Sequence, residues 1–431
     1  ARARLSTVYM PGDKITMLPP QAIEPFTLAA GRICPAVSLY LSVTPELAIS
    51  AYESRIERIS IRANLRHHEI EPCFNERSIA LGLADFPWRD ELHLLWQLAN
   101  ACEARRGKPS ATPGQHDYVF QIDGDLSDAD ACRVDIKVRE RGSPLDKLVA
   151  ELMIVANSTW GALLAEKGIA AIYRAQSSGK VRMTTTPLPH EGLGVAQYAW
   201  MSSPLRRYVD LLNQWQLVAC LNGTPPFFGQ RETPSQGKEK LFAALRDFEL
   251  RYSAYAEFQR SMERYWCLRW LQQEQLVSPQ QSQAEAQPPA PSSDAEMKLS
   301  ATLRRDNLVK FDHLPILQRV PSVPDLAPGQ RLHLRIASID LLNLDVDCRY
   351  VGHEALQDAA QLDADEDNHA EQAKHKSLDS TEHNLPATPE LAAAAWPEAL
   401  SESLDADNAD ASSASTASAG TTPPALRADR L

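Results

Sequence analysis

Apolar residues recur at helical spacing most clearly over residues 143–167, SPLDKLVAELMIVANSTWGALLAEK. There Leu145, Leu148, Val149, Leu152, Met153, Ala156, Trp160 and Leu163 run down one face, which predicts an amphipathic helix. Ser143 stands at the N-cap position and Pro144 at the first helical position, where a missing N–H leaves no orphan donor. Glu151 and Asn157 interrupt the apolar run, and buried polar groups need partners. Each is therefore expected to be satisfied internally or placed for a ligand.

Two further stretches read as helices, Glu91 to Arg106 and Lys238 to Glu274. The second carries Leu241, Leu245, Phe248, Tyr252, Tyr255, Phe258 and Met262, a largely aromatic stripe expected to be core. Period-two patterns mark strands in four places. They are a short run at Leu5 to Met10 before a Pro11-Gly12 turn, paired strands within 32–62, a hairpin from Tyr118 to Val138, and short strands over 298–348. Helices and hairpins interleave, so the fold class expected is α+β.

One stretch is organised differently, Pro189 to Asn213, PHEGLGVAQYAWMSSPLRRYVDLLN. Two glycines (Gly192, Gly194) and an aromatic pair (Tyr198, Trp200) precede Ser203-Pro204-Leu205-Arg206-Arg207. Leu205, Tyr208, Val209, Leu212 and Trp215 then follow at helical spacing. Ser203 as N-cap and Pro204 at the first position predict a helix whose first turn holds Arg206 and Arg207. Cations suit that end poorly unless an anion binds there, and both the arginine fork and the free N–H groups suit phosphate. The alternative is an arginine pair bridging to a carboxylate such as Asp210.

Charge changes this picture in one respect. The formal net charge of the 431 residues is −12, but residues 352–431 hold 16 Asp/Glu against 4 Lys/Arg, which leaves residues 1–351 neutral. An acidic whole-chain balance therefore does not argue against a nucleic-acid partner. The tail is rich in Ala, Asp, Ser and Glu and is expected to be disordered. Residues 278–296 read as a Pro/Gln/Ser linker. Seven cysteines stand singly without a C-x-x-C pair, as expected of reduced thiols in a cytoplasmic protein. No uninterrupted apolar run of about 18 residues is present, so no membrane span is expected.

The run GLGVAQYAWMSSPLRRYVDL resembles the closing motif of the catalytic domain of the ribonuclease II and ribonuclease R (RNB) family, H-F-G-L-G-x-x-x-Y-x-x-F/W-T-S-P-I-R-R/K-Y-x-D. Two other stretches match the same family in the same order. Thr7 to Pro11 and Ile15 to Pro19 are similar to its T-x-Y-L-P-x-x-x-I-P-M-L-P, and residues 148–157 to its L-I-E-E-x-M-I-x-A-N. The chain departs from the family at Ala150, where the first of two acidic residues is usual, and at Gln176, where histidine is usual.

The resemblance implies an RNB-type catalytic domain over 1–277, incomplete at its N-terminus, then a small OB-type β-barrel over 297–351 with Phe311 as the one matching aromatic. It implies Mg²⁺-dependent 3′→5′ hydrolysis of single-stranded RNA by a cytoplasmic monomer. Arg206 would neutralise the scissile phosphate, Tyr9 would stack on a terminal base, and Glu151, Asn157, Arg174, Arg207 and Tyr208 would complete the RNA site. The family's metal motif, I-D-x5-D-x-D-D-A, is expected ahead of Ala1, so this chain supplies no metal ligand and is expected to be inactive alone. The Asp-rich stretch Asp123 to Asp130 lacks that register and reads as a hairpin turn. The alternative is a non-catalytic RNA-binding or regulatory member of the family.

Overall fold

In a computed structural model, residues 1, 3–109, 116–126, 128, 130–140, 142–228, 234–281 and 298–354 are described. Residues 282–297 and 355–431, which hold most of the expected linker and acidic tail, lie outside them. The chain opens with the hairpin β1 (Val8–Met10) and β2 (Asp13–Ile15), closed at Gly12, and continues into α1 (Pro20–Ile23). A long antiparallel ribbon follows, β3 (Ile33–Val43) with β4 (Ile49–Ser60). Two short helices, α2 (His67–Ile70) and α3 (Glu76–Leu81), which no periodicity predicts, lead into α4 (Arg89–Arg106). The expected hairpin is β5 (His116–Asp123) with β6 (Arg133–Glu140).

The strongest sequence expectation is met by α5 (Pro144–Glu166), where Ser143 and Asp146 form a capping box at its N-terminus. This helix is long and apolar enough to cross a membrane by length and composition. In the fold its apolar face is core only in part: Leu145 and Leu148 pack with Phe74 and Leu92, and Trp160 and Leu164 pack with Tyr173, Met201 and Leu217, while Val149 and Met153 are exposed. The hairpin β7 (Tyr173–Ser177) and β8 (Lys180–Thr184) precedes α6 (Tyr208–Leu221) and α7 (Pro234–Gln281).

At 48 residues, α7 is about 70 Å long and joins two cores. Its first half sets Leu241, Leu245 and Phe248 against Leu5, Met17, Ile172, Val209 and Leu212. Its last turns bring Cys267, Leu268 and Leu271 to the core of a five-stranded sheet. The aromatic stripe is thus core only in part, because Tyr252 and Phe258 are 40% and 45% exposed between the two cores. The helix also continues past residue 278, into the first residues of the expected linker.

The sheet comprises β9 (Lys298–Arg305), β10 (Leu308–Phe311), β11 (Leu317–Arg319), β12 (Arg331–Asp340) and β13 (Asp345–His353). All pairings are antiparallel in the order β11-β10-β9-β12-β13, where the small OB-type unit was expected. Phe311 is 1% exposed within this core, so it packs the sheet and presents no stacking face.

Candidate RNA site

The helix after Ser203-Pro204 starts four residues later than capping rules predict, at Tyr208. Arg206 and Arg207 both donate their backbone N–H to the Ser203 carbonyl, which closes one turn. Arg207 then becomes extended (φ −134°, ψ 128°) because it bridges to Ser6 in the opening segment. Thr7 N–H and the Ser6 hydroxyl both donate to the Arg206 carbonyl, at 2.9 and 3.2 Å, and Tyr208 N–H donates to Leu5. Residues 200 apart in sequence are thereby stitched together. Arg206 therefore precedes the helix instead of lying in its first turn, and its side chain is exposed.

Asp210 organises the same turn from below. Its Oδ1 accepts from Ser203 N–H at 2.9 Å and from Arg207 Nη2 at 2.8 Å. Burial pushes this carboxyl above its ordinary range, and the Arg207 charge opposes that push. The Arg207 guanidinium also lies 3.9 Å from the centre of the Trp200 ring, and Arg174 lies 5.1 Å from it. Arg207 and Tyr208 are accordingly positioned by packing and pairing, with Tyr208 only 6% exposed, whereas Arg206 faces outward.

Tyr9 emerges three residues after Ser6, about 10 Å along the chain. Its ring is 45% exposed while its N–H donates to Gln259 Oε1 of α7 at 3.2 Å. The strand is held and the aromatic face left open, as stacking on a base requires.

Glu151 and Asn157 are placed otherwise. Glu151 is fully buried in a bidentate pair with Arg106, which also donates to the Leu193 carbonyl. Gly194 lies against this arginine with φ +64°, and a Cβ there would meet the Arg106 carbonyl at 2.6 Å. That contact is a steric reason for glycine in the GLG run. Asn157 accepts from Met201 N–H at 3.0 Å and donates to the Tyr198 hydroxyl at 3.1 Å. Both residues are committed to internal partners, so they shape the wall that carries Tyr198 to Arg207 and present no polar atom to solvent.

No residue set at this turn suits Mg²⁺, which takes carboxylate oxygens with water in an octahedral shell. Asp210 is buried and held by Arg207. In the Asp-rich turn, Asp130 pairs with Arg269 at 3.1 Å. One three-residue group among the described residues has metal-ligand character, His67, Glu71 and Asp146. Sequence spacing did not point to it, because its members come from separate elements. Arg139 already stands among them, donating to Glu71 and, at 2.9 Å, to Asp146, with Asp117 at 3.6 Å. Asp146 lies 11 residues before Asn157 on α5, about 16 Å away along the axis. The group is an ion network tying α2, β6 and α5 together, remote from the arginine turn.

That network makes a testable contribution. The Arg139 hydrogen bond holds the Glu71 carboxyl below its ordinary range. For Asp146, burial pushes upward, but the Arg139 bond and charge outweigh it and the net shift is downward. Carboxylates depressed in the folded state contribute stability that is present above their unfolded values, 4.5 and 3.8, and is lost as pH falls through the lower folded values. Urea midpoints measured from pH 6 to pH 3 are expected to fall more steeply for the natural chain than for Arg139→Met. Parallel curves would show that the network carries no pH-dependent stability.

The RNB domain family model matches residues 1–183 and 177–223. The uncharacterized ribonuclease sll1290 of Synechocystis is 26% identical over 300 residues, covering 63% of this chain and 41% of that protein. Mycoplasma genitalium RNase R, solved in complex with ribose-methylated single-stranded RNA, superposes with TM-score 0.61 at 15% identity, over 81% of this chain and 63% of that one. Yeast Ssd1, described as a pseudonuclease, superposes with TM-score 0.53 at 15% identity, over 78% of this chain and 46% of that one. The chain thus spans about two fifths of the length of its curated relative.

Proposed function

The chain belongs to the RNB-domain family, and from that premise we propose that it forms the part of a cytoplasmic 3′→5′ exoribonuclease that grips single-stranded RNA near its 3′ end. The observation that carries this reading is the backbone bridge between Ser6 and Arg207. It joins the segment that leads to the exposed Tyr9 to the turn that carries the exposed Arg206. Arg206 supplies a fixed cation with forked donors for a phosphate, and Tyr9 supplies a sequence-tolerant stacking face. Arg207, Asp210 and Trp200 hold the turn, so little side-chain ordering remains to oppose binding at Arg206.

Hydrolysis in this family depends on Mg²⁺. At the arginine turn the Asp210 carboxylate is buried and held by Arg207, and the role read for this chain is to bind and orient RNA. A second reading, a non-catalytic RNA-binding member, is favoured by Ala150 and Gln176, which depart from the family's acidic residue and histidine. The fold itself is compatible with both, since RNase R and the pseudonuclease Ssd1 are each similar to it.

Tyr9→Ala tests the reading directly. Stacking on one base is worth about 1–3 kcal/mol, so affinity for an oligouridylate measured by fluorescence anisotropy is expected to fall by that amount. Thermal stability should hardly change, because the ring is half exposed. An unaltered affinity would remove Tyr9 from the RNA site.

A further inference from the structure

Strand register sets one more side chain beside Tyr9. In the opening hairpin Val8 pairs with Ile15, Tyr9 with Lys14 and Met10 with Asp13, across the Pro11-Gly12 turn. Directly opposed residues share a face, so the Tyr9 ring and the Lys14 stem project from the same side of the ribbon. Tyr9 N–H donates to Gln259 Oε1 on α7, outside the hairpin. An N–H turned away from the partner strand belongs to a non-hydrogen-bonded pair, the kind whose side chains lie closer, with Cβ atoms about 4.5–5.5 Å apart. Lys14 is exposed, and its ammonium has no ion pair or hydrogen bond among the described residues. The neighbouring acid, Asp13, accepts the Lys14 N–H at 2.7 Å and belongs to the opposite face.

The hairpin is held from its other side. A two-stranded ribbon alone is marginally stable, so its attachments decide whether the Tyr9 face is fixed. Val8 is buried, and Met10 and Asp13 line a cavity with Met262 and Tyr265 of α7. At the tip Gly12 takes φ +79°, and a Cβ there would meet Ile122 at 3.1 Å and Leu126 at 3.3 Å, so the turn packs closely on the end of β5. Tyr9 and Lys14 therefore form a fixed outward face that joins an open ring to an uncommitted cation. A nucleotide carries the complementary pair, a base with a π-face and a phosphodiester with a negative charge.

We propose that Lys14 is an RNA-binding residue that clamps one nucleotide together with Tyr9: the ring stacks on the base and the ammonium binds a phosphate flanking it. The proposal rests on the RNA-binding reading above and deepens it, because it assigns Tyr9 a phosphate-binding partner separate from Arg206. The ammonium is a point charge on a flexible four-carbon stem, so it can follow the backbone of any stacked nucleotide. Like the stacking itself, this contact is indifferent to sequence.

The test uses the full chain and a fluorescent oligouridylate in the presence of chelator, titrated at several salt concentrations. Lys14→Gln is expected to reduce the slope of log affinity against log salt by about 0.7, the value for one phosphate contact on a single strand. Its melting temperature should not change, because the side chain is exposed. Lys14→Arg is expected to keep the natural slope, and Tyr9→Ala to lower affinity without altering it. Groups that hold one nucleotide act together, so the affinity lost in Lys14→Gln is expected to shrink at least twofold when Tyr9→Ala is already present. An unchanged slope in Lys14→Gln, with the natural chain still binding, overturns the role of Lys14 and leaves the RNA reading standing. A loss of the same size with and without Tyr9→Ala overturns the shared nucleotide. Failure of the natural chain to bind RNA overturns both the clamp and the reading beneath it.

Discussion

Glu151→Ala is expected to cost about 3–5 kcal/mol of stability, the largest loss foreseen for any single side chain here. Glu151 is fully buried within α5, and its bidentate partner Arg106 is itself only 10% exposed. Removing the carboxylate leaves a guanidinium buried with one remaining partner, the Leu193 carbonyl. Desolvation of that unpaired charge, more than the lost attraction, sets the size of the effect. The damage should spread to the candidate RNA site, because Arg106 donates to the Leu193 carbonyl in the turn that leads to Tyr198 and the arginines. Urea denaturation of the variant measures the loss. The double replacement Glu151→Leu with Arg106→Met is expected to recover much of it, since apolar side chains of similar volume leave no charge unpaired. A loss below about 1 kcal/mol for Glu151→Ala would mean that the pair is not held as a buried unit.

The 431-residue chain is expected to bind single-stranded RNA weakly and to release no nucleotides from it in Mg²⁺. Phosphodiester hydrolysis of this kind needs clustered carboxylates to hold metal near the phosphate. At the arginine turn the nearby carboxylate is Asp210, buried and held by Arg207 and the Ser203 N–H. The remaining candidate group, His67 with Glu71 and Asp146, surrounds Arg139 and lies well along α5 from the site. Arg206 and Tyr9 need no metal, so binding should be retained where cleavage is not. Incubating the chain with 5′-labelled single-stranded RNA and Mg²⁺ decides the matter. A 3′→5′ ladder that disappears in chelator would show that carboxylates of this chain do hold the metal.

The difference between what was legible and what was not follows the range of the forces involved. The helix over 144–166, the Pro11-Gly12 turn and the ribbon within 32–62 were readable because their causes are local. They rest on a capping box, a fixed proline φ, a glycine able to take positive φ, and unbroken apolar periodicity. The stretches around Tyr9 and Arg206 stood out in the sequence through their resemblance to the family's motifs. The start of α6 was not, although Ser203 and Pro204 satisfy every local rule for a helix N-terminus. Asp210 takes the Ser203 N–H and Ser6 pairs with Arg207, so long-range hydrogen bonds outweighed a capping preference of about 1 kcal/mol.

Tertiary structure alone also settled the partners of Glu151 and Asn157, the fate of the aromatics on α7 and the place of Phe311. Local pattern marks a polar residue in an apolar run, but only the approach of α4 to α5 supplies Arg106 to Glu151. Likewise an aromatic stripe reads as core along its whole length, yet α7 spans a gap between two cores and leaves Tyr252 and Phe258 uncovered there. By itself the sequence determined which side chains could meet RNA. The bridge of the opening segment to the arginine turn was decided by tertiary structure alone, because hydrogen bonds formed across 200 residues join Ser6 to Arg206.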